Sequence, residues 1–486
     1  MSNPTSEITS SPHPTLKRQF KMQDALTLAF VYISPIVALY AIFGLIVQAA
    51  GPAGWWVFPV GLGVQLLIAL SLGVLVSRWP LQGGSYQWAR RLAGNNYGWI
   101  TGWFYIWTLI IVFASNGYAI ATFIPAALGI DPFSTTQNVM IAIGILAIAT
   151  GLNLVGPTTL KLLGKMSLAA EVIGSVVLAT VLLIWHRVQD FDVIFTTAGT
   201  GGDNYLFNGL LMALGFMGFG LAGFESVCSM AEEIEDPERN LPKAIIGALI
   251  GIGVVVSYSA LALILATPDF GAIISGAIAD PAAGTIQAAL GDNVAKLFFV
   301  LVIIGFAASM MMAQTSVSRV IWAFSNDKVL PCSGFLSKLS SRHGTPDRAI
   351  LVVGLLSILV TLLSSSERVY ATLISSAGGG FFITMAFVVL GLAVHLISKK
   401  WKFGPFRLGW ATIPVVLGAC AWIVLEIANI VWPRAIGEQA WYVSWAVFIA
   451  LSVIGALGLV VWLSVRGHIR NAKYHMELPD PSLHHL

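Results

Sequence analysis

Gly215-Phe216-Met217-Gly218-Phe219-Gly220-Leu221-Ala222-Gly223-Phe224-Glu225 is the stretch on which the fold turns. It lies within an apolar run over 206–231, and the glycines at 215, 218, 220 and 223 make poor helix. An acidic side chain, Glu225, follows just after the last of them. A matching interruption, Ser34-Pro35, lies in the apolar run over 25–48, where Pro35 cannot donate the backbone hydrogen bond that a continuous helix expects. The two runs are five spans apart and so cross the bilayer in opposite directions. Unwound backbone at mid-membrane depth is tolerated where it lines a cavity, and paired interruptions in corresponding segments of two inverted halves mark a transporter's binding site. Glycine and proline also mark kinks and close packing in membrane helices, which is the plainer reading of either break alone.

The sequence around these breaks belongs in a bilayer. Of its 486 residues 57% are hydrophobic and 10% charged, whereas a soluble domain carries about 25% charged residues. A window of about 19 residues finds twelve apolar segments, over 25–48, 55–77, 99–128, 138–155, 160–185, 206–231, 244–266, 294–322, 349–365, 369–397, 409–432 and 441–465. They are continuous runs of helical length without two-residue alternation, which excludes a β-barrel. With the N-terminus in the cytoplasm, 22 of the 26 Lys and Arg fall inside, and only Arg187, Lys296, Arg368 and Arg434 fall outside. That asymmetry is the positive-inside pattern, so both tails, 1–24 and 466–486, are expected on the cytoplasmic side of the cell membrane. The first tail ends in Lys17, Arg18, Lys21 and Asp24 without the pattern of a cleaved signal, so the first apolar run is expected to remain as a span.

Other functions lack the residues they need. A net charge of +3 is too nearly balanced for nucleic-acid binding. Cys228, Cys332 and Cys420 are scattered, and the eight histidines, among them His13, His468, His475, His484 and His485, show no metal-ligand spacing. Gln82-Gly83-Gly84-Ser85-Tyr86 after Pro80 lacks the lysine of a phosphate loop. No metal, no cofactor and no enzymatic centre is therefore expected. The expected partners are a small solute, a proton and the lipid bilayer; the sequence does not express an oligomeric state.

Glu171, Glu225 and Glu426 are the ionisable residues well inside the spans. An ionised carboxylate in hydrocarbon costs at least about 2.5 kcal/mol, so each should be protonated, paired or in a wet cavity. Glu225, just past the second break, is the first choice for proton coupling. Glu171 reads equally as a second coupling group or as the partner of Lys161 or Lys165; Glu426, near Asn429, reads as structural. Asn116 offers an amide to a solute or to a neighbouring helix, and the Phe219 ring could close over a substrate or receive a cation. A half-helix starting near Pro35 would point free N–H groups at the cavity and suit a carboxylate, while carbonyls from Gly218 to Gly223 suit an ammonium group. A zwitterion fits both. Sodium would want oxygens such as that of Ser309 with the span 1 backbone; the proton is preferred because Glu225 titrates.

Three stretches carry a resemblance. They are Pro80-Leu81-Gln82-Gly83-Gly84-Ser85-Tyr86-Gln87-Trp88 with Gly102-Trp103; Gly223-Phe224-Glu225-Ser226 continuing through Ala231-Glu232-Glu233-Ile234 to Asp236-Pro237-Glu238-Arg239-Asn240-Leu241-Pro242; and Arg319 with Asn326-Asp327-Lys328-Val329-Leu330-Pro331 and Gly344-Thr345-Pro346. In these the chain resembles the amino acid-polyamine-organocation superfamily of transporters, nearest its amino acid and γ-aminobutyrate permease branch. The resemblance implies an all-α integral membrane protein of twelve transmembrane helices. Spans 1–5 (25–185) and 6–10 (206–397) would form a five-plus-five inverted repeat with helices 1 and 6 broken, and spans 11 and 12 (409–465) would be peripheral. It also implies alternating access around a substrate site at Ser34, Pro35, Ile36, Val37 and Ala38 of span 1 and Phe219, Gly220, Leu221, Ala222 and Gly223 of span 6, helped by spans 3, 8 and 10. Glu225 matches a glutamate implicated in proton binding. The implied function is proton-coupled import of an amino acid or related amine, with an obligate exchanger or a non-transporting nutrient sensor as alternatives. One departure is visible: many relatives carry a glycine-rich break in span 1, where this chain has Ser34-Pro35-Ile36-Val37-Ala38.

Overall fold

A computed structural model describes residues 21–81, 83–278, 280–341, 344–363, 369–433 and 441–472. Lys17, Arg18, Gln82, Arg368, Arg434, His13, His475, His484 and His485 lie outside the described residues, as do the side chains of Lys161, Glu232 and Glu233. Among the described residues there is no strand. The helices in chain order are α1 (Met22–Ile33), α2 (Pro35–Tyr40), α3 (Phe43–Ala50), α4 (Val57–Arg78), α5 (Ser85–Ala93), α6 (Asn95–Leu128), α7 (Thr135–Leu154), α8 (Pro157–Glu171), α9 (Leu178–Trp185) and α10 (Leu211–Gly220). They continue as α11 (Pro237–Ala266), α12 (Phe270–Ile274), α13 (Pro281–Leu290), α14 (Asp292–Asn326), α15 (Ser333–Leu336), α16 (Asp347–Leu363), α17 (Val369–Ile397), α18 (Thr412–Val431), α19 (Trp441–Ser444) and α20 (Ala446–Asn471).

Among the described residues ten helical segments are long and apolar enough to cross a membrane, where hydropathy leads to twelve. The difference lies at two places. The sixth apolar run gives only Leu206–Gly220, because the helix stops where the glycines accumulate. The ninth is described only over α16, whose 17 residues run up to the edge of the described stretch at Leu363.

The long helices sort by burial. In α6 the most apolar window is 78% buried and in α20 it is 17%, so α6 lies at the centre of the bundle and α20 at its rim. α6 packs most extensively on α14 and then on α17. Apolar side chains such as Leu459 and Val460 of α20 remain exposed, as a helix facing lipid requires.

At one end of the bundle, two of the motif stretches meet. Arg90 of α5 pairs with Asp327, just after α14, at 2.7 Å, and both side chains are buried. Tyr86 donates to the same carboxylate at 2.6 Å, and Arg90 also reaches the carbonyl of Ala472 beyond α20 at 3.0 Å. Asn95 at the start of α6 adds bonds to the carbonyls of Ile469 and Ala472. One short helix thus binds the ends of three long ones through a buried charge pair. Removing one partner of such a pair strands the other charge, at a cost of about 3–5 kcal/mol. Asp327→Ala is accordingly expected to lower the thermal unfolding temperature of the purified protein sharply, while Asp269→Ala at an exposed helix cap shifts it by much less; equal melting curves would sink this account.

Candidate functional site

The first break is built by three residues. Ser34, with φ at +55°, ends α1, and the chain restarts as α2 at Pro35, whose missing N–H costs nothing in a first turn. The Ser34 hydroxyl accepts the Val37 N–H at 3.1 Å and donates to Glu171 Oε1. Glu171 Oε2 accepts the Ile36 N–H at 2.8 Å. Glu171 is the last residue of α8, followed by a π-helical turn over Val172–Val177; such turns are commonest at functional sites. Gly305 of α14 makes room for this clasp, since a Cβ there would stand 3.2 Å from both Glu171 Oε1 and the Ile36 side chain.

The proximity of Lys165 in sequence therefore misleads about Glu171, and the side chain of Lys161 lies outside the described residues. Lys165 is exposed, whereas Glu171 is buried and serves the start of α2 from 135 residues away. The expectation of free N–H groups at that start is corrected by the same bonds: Ile36 and Val37 both spend theirs inside the protein.

The second break follows α10. Gly223 has φ at +100°, and a Cβ on it would collide with the ring of Tyr32, which leaves α1 to pack there. The two breaks thus touch through one aromatic ring. Around them, Ser309 of α14 donates to the Tyr32 carbonyl at 2.6 Å and accepts from Asn116 of α6 at 3.3 Å. Gln65 of α4 reaches the Gly218 carbonyl at 3.4 Å. These bonds satisfy backbone carbonyls that the interrupted helices release. They also use the Ser309 hydroxyl that the sodium reading relied on.

A cavity of about 30 Å³ lies between the breaks. Tyr32, Ile33 and Val37 line it from the first, and Phe219, Gly220, Ala222, Gly223 and Glu225 from the second. Thr108, Leu109, Val112 and Asn116 of α6, Ser309 of α14 and Ala377 and Phe381 of α17 complete it. Of the residues singled out in the sequence, Ser34, Pro35, Ile36, Ala38, Leu221 and Glu171 are not among the lining. Glu225 Oε1 accepts from the Tyr105 hydroxyl at 3.2 Å, while Oε2 is buried without a hydrogen-bond partner. Glu426 accepts from Asn429 at 3.3 Å, and Asn429 donates to the Leu211 carbonyl, tying α18 to α10 away from the cavity. At this volume the cavity holds about one or two waters, so a solute enters only if lining side chains move. Tyr32, Tyr105 and Phe381 escape a reading of the sequence because aromatic residues in apolar runs look like packing; the one available signal is the polar tip of each tyrosine.

A multi-pass helical membrane protein with two interrupted helices meeting over a small cavity is a solute permease in architecture. The chain belongs to the amino acid permease family of the amino acid-polyamine-organocation superfamily, whose pattern matches residues 24–457. It is 27% identical over 445 residues to the amino-acid permease BAT1 homolog of Oryza sativa subsp. japonica, covering 84% of this chain and 83% of that one. To the low-affinity putrescine importer PlaP of Escherichia coli K12 it is 24% identical, over 79% of this chain and 82% of the relative. To the branched-chain amino acid permease BcaP of Bacillus subtilis strain 168 it is 24% identical, over 89% and 92%. These relatives are transporters and not enzymes.

The clasp can be tested by itself. Glu171→Leu leaves the Ile36 N–H and the Ser34 hydroxyl buried without their acceptor, a loss of about 1–3 kcal/mol. Glu171→Gln keeps one carbonyl acceptor and is expected to lose less than half as much. Thermal unfolding of the two variants checks this, and equal losses would show that the hydrogen bonds are not what Glu171 contributes.

Proposed function

We propose that the chain is a secondary active transporter that imports an amino acid or related amine across the cell membrane, coupled to protons, by alternating access. Twelve spans, α16 and the Leu206–Gly220 segment among them, form two inverted repeats over 25–185 and 206–397, and 409–465 is peripheral. The observation that carries the reading is Glu225, with one unpartnered buried oxygen, among the residues lining a cavity between two interrupted helices. The names of the relatives, which include an amino-acid permease, a branched-chain amino acid permease and a putrescine importer, support both amino acids and amines as solutes.

Alternating access needs the two breaks to change shape, and a carboxylate stands at each. At the first, an ionised Glu171 accepts from both Ser34 and Ile36; a protonated one accepts less strongly and must place its own hydrogen. Proton uptake at Glu171 therefore loosens the hinge between α1 and α2. At the second, Glu225 joins the segment after Gly223 to Tyr105 of α6. Substrate at the cavity and a proton at a break act on the same two hinges, which is the linkage that symport requires.

Uptake into proteoliposomes is expected to rise with an inward proton gradient and to collapse with an ionophore. Glu171→Gln and Glu225→Gln, made singly, should each abolish gradient-driven accumulation while the protein remains in the membrane; accumulation surviving in both takes these carboxylates out of coupling. Uptake only against internal solute would make the protein an exchanger. For orientation, an impermeant maleimide is expected to label Thr197→Cys but not Lys338→Cys in intact cells, in a background where the exposed Cys332 is serine. The reverse labelling would invert the topology.

A further inference from the structure

We infer that the cavity recognises a monocationic amine with an apolar body and no carboxylate beside its ammonium group. This rests on the transport reading above and names the substrate class of the same site. Three observations carry it.

The first concerns the anionic side of the site. Glu225 is 2% exposed and is among the residues lining the cavity, and its Oε2 is buried without a hydrogen-bond partner. An ionised carboxylate accepts through both oxygens, and one buried without its full set of donors is costly. The Tyr105 hydroxyl donates to the other oxygen. A ligand ammonium supplies what Oε2 lacks, as both donor and counter-charge.

The second concerns a ligand carboxylate. The restart of α2 would be its natural seat, but Pro35 has no N–H, the Ile36 N–H is held by Glu171 at 2.8 Å, and the Val37 N–H by Ser34 at 3.1 Å. The Ala38 N–H bonds the Ser34 carbonyl at 2.8 Å within the helix. The protein's own carboxylate already sits where an α-amino acid would place its own. No Lys or Arg is among the lining residues to replace that seat, so an α-carboxylate brought to Glu225 with its ammonium would meet a carboxylate of like sign.

The third concerns the remainder of the ligand. The lining also includes Leu109, Val112, Phe219 and Phe381, apolar surface for an aliphatic or aromatic body. A second ammonium group would find no second carboxylate there, because Glu171 faces α2 and is not among the lining. With Glu225 paired to the amine, Glu171 is the carboxylate left to carry the proton.

The test uses the full chain in proteoliposomes and in detergent, with three matched pairs: isoamylamine and leucine, phenethylamine and phenylalanine, putrescine and ornithine. Equilibrium binding and uptake are both measured. Isoamylamine and phenethylamine are expected to bind at least tenfold more tightly than the matched amino acids and more tightly than putrescine. Glu225→Gln should weaken monoamine binding by about tenfold or more, the effect of one lost charge-assisted contact. If that variant does not fold, Glu225→Asp takes its place and should give an intermediate affinity. Leucine or phenylalanine bound as tightly as its amine, or putrescine preferred, overturns the inference and leaves the transport reading standing. So does unchanged monoamine affinity in the folded Glu225→Gln variant. Failure of every compound to bind and to enter overturns both.

Discussion

Inside a bilayer each peptide group must find its partner within the protein, because hydrocarbon offers none. This chain gives up the regular helical answer at Ser34 and again between Gly220 and Gly223, and much of the surrounding structure supplies the partners lost. The N–H groups freed at the first break are taken by Ser34 and by a glutamate from α8. The carbonyls near both breaks are taken by Ser309 and Gln65. A transporter site on this plan is a set of backbone groups held by side chains from other helices, any of which can let go.

Two carboxylates serve two different purposes there. Glu171 is surrounded by donors and closes a junction within the protein. Glu225 takes a side-chain bond from Tyr105 on one oxygen, leaves the other buried without a partner, and lines a cavity. Burial alone does not separate them, since both are almost wholly enclosed. Their hydrogen-bond partners do, and the proposed division of labour, a proton at one break and an ammonium group at the other, follows from that difference.

The far end of the bundle holds by another logic. Arg90 and Asp327 bring together α5, the end of α14 and the end of α20, so the rim helix is tied to the centre. The residues involved belong to two separated sequence stretches, Ser85 to Trp88 with its continuation and Asn326 to Pro331. Tyr86 and Asp327 were visible within motifs and Arg90 was not, and their mutual contact was not visible either, because motif spacing along the chain says nothing of which loops meet across a bundle.

The membrane class, the helical architecture and the position of both breaks were legible in the residues themselves. Hydropathy acts over a single segment, and Pro35 and the glycines from 215 to 223 act on their own backbone, so these consequences are local. Twelve runs were legible as well, although in one of them the helix stops at its glycines, after Leu206–Gly220. Tertiary structure alone decided which group faces which. Glu171 lies close in sequence to Lys165 and binds instead to Ser34 and Ile36, while Tyr105 and Phe381, unremarkable within their apolar runs, came to flank Glu225 and the cavity. The physical reason is range: propensity and hydropathy are summed over neighbours in the chain, whereas a hydrogen bond to a released backbone group depends on which helix packs beside it, and that is set only when the whole bundle closes.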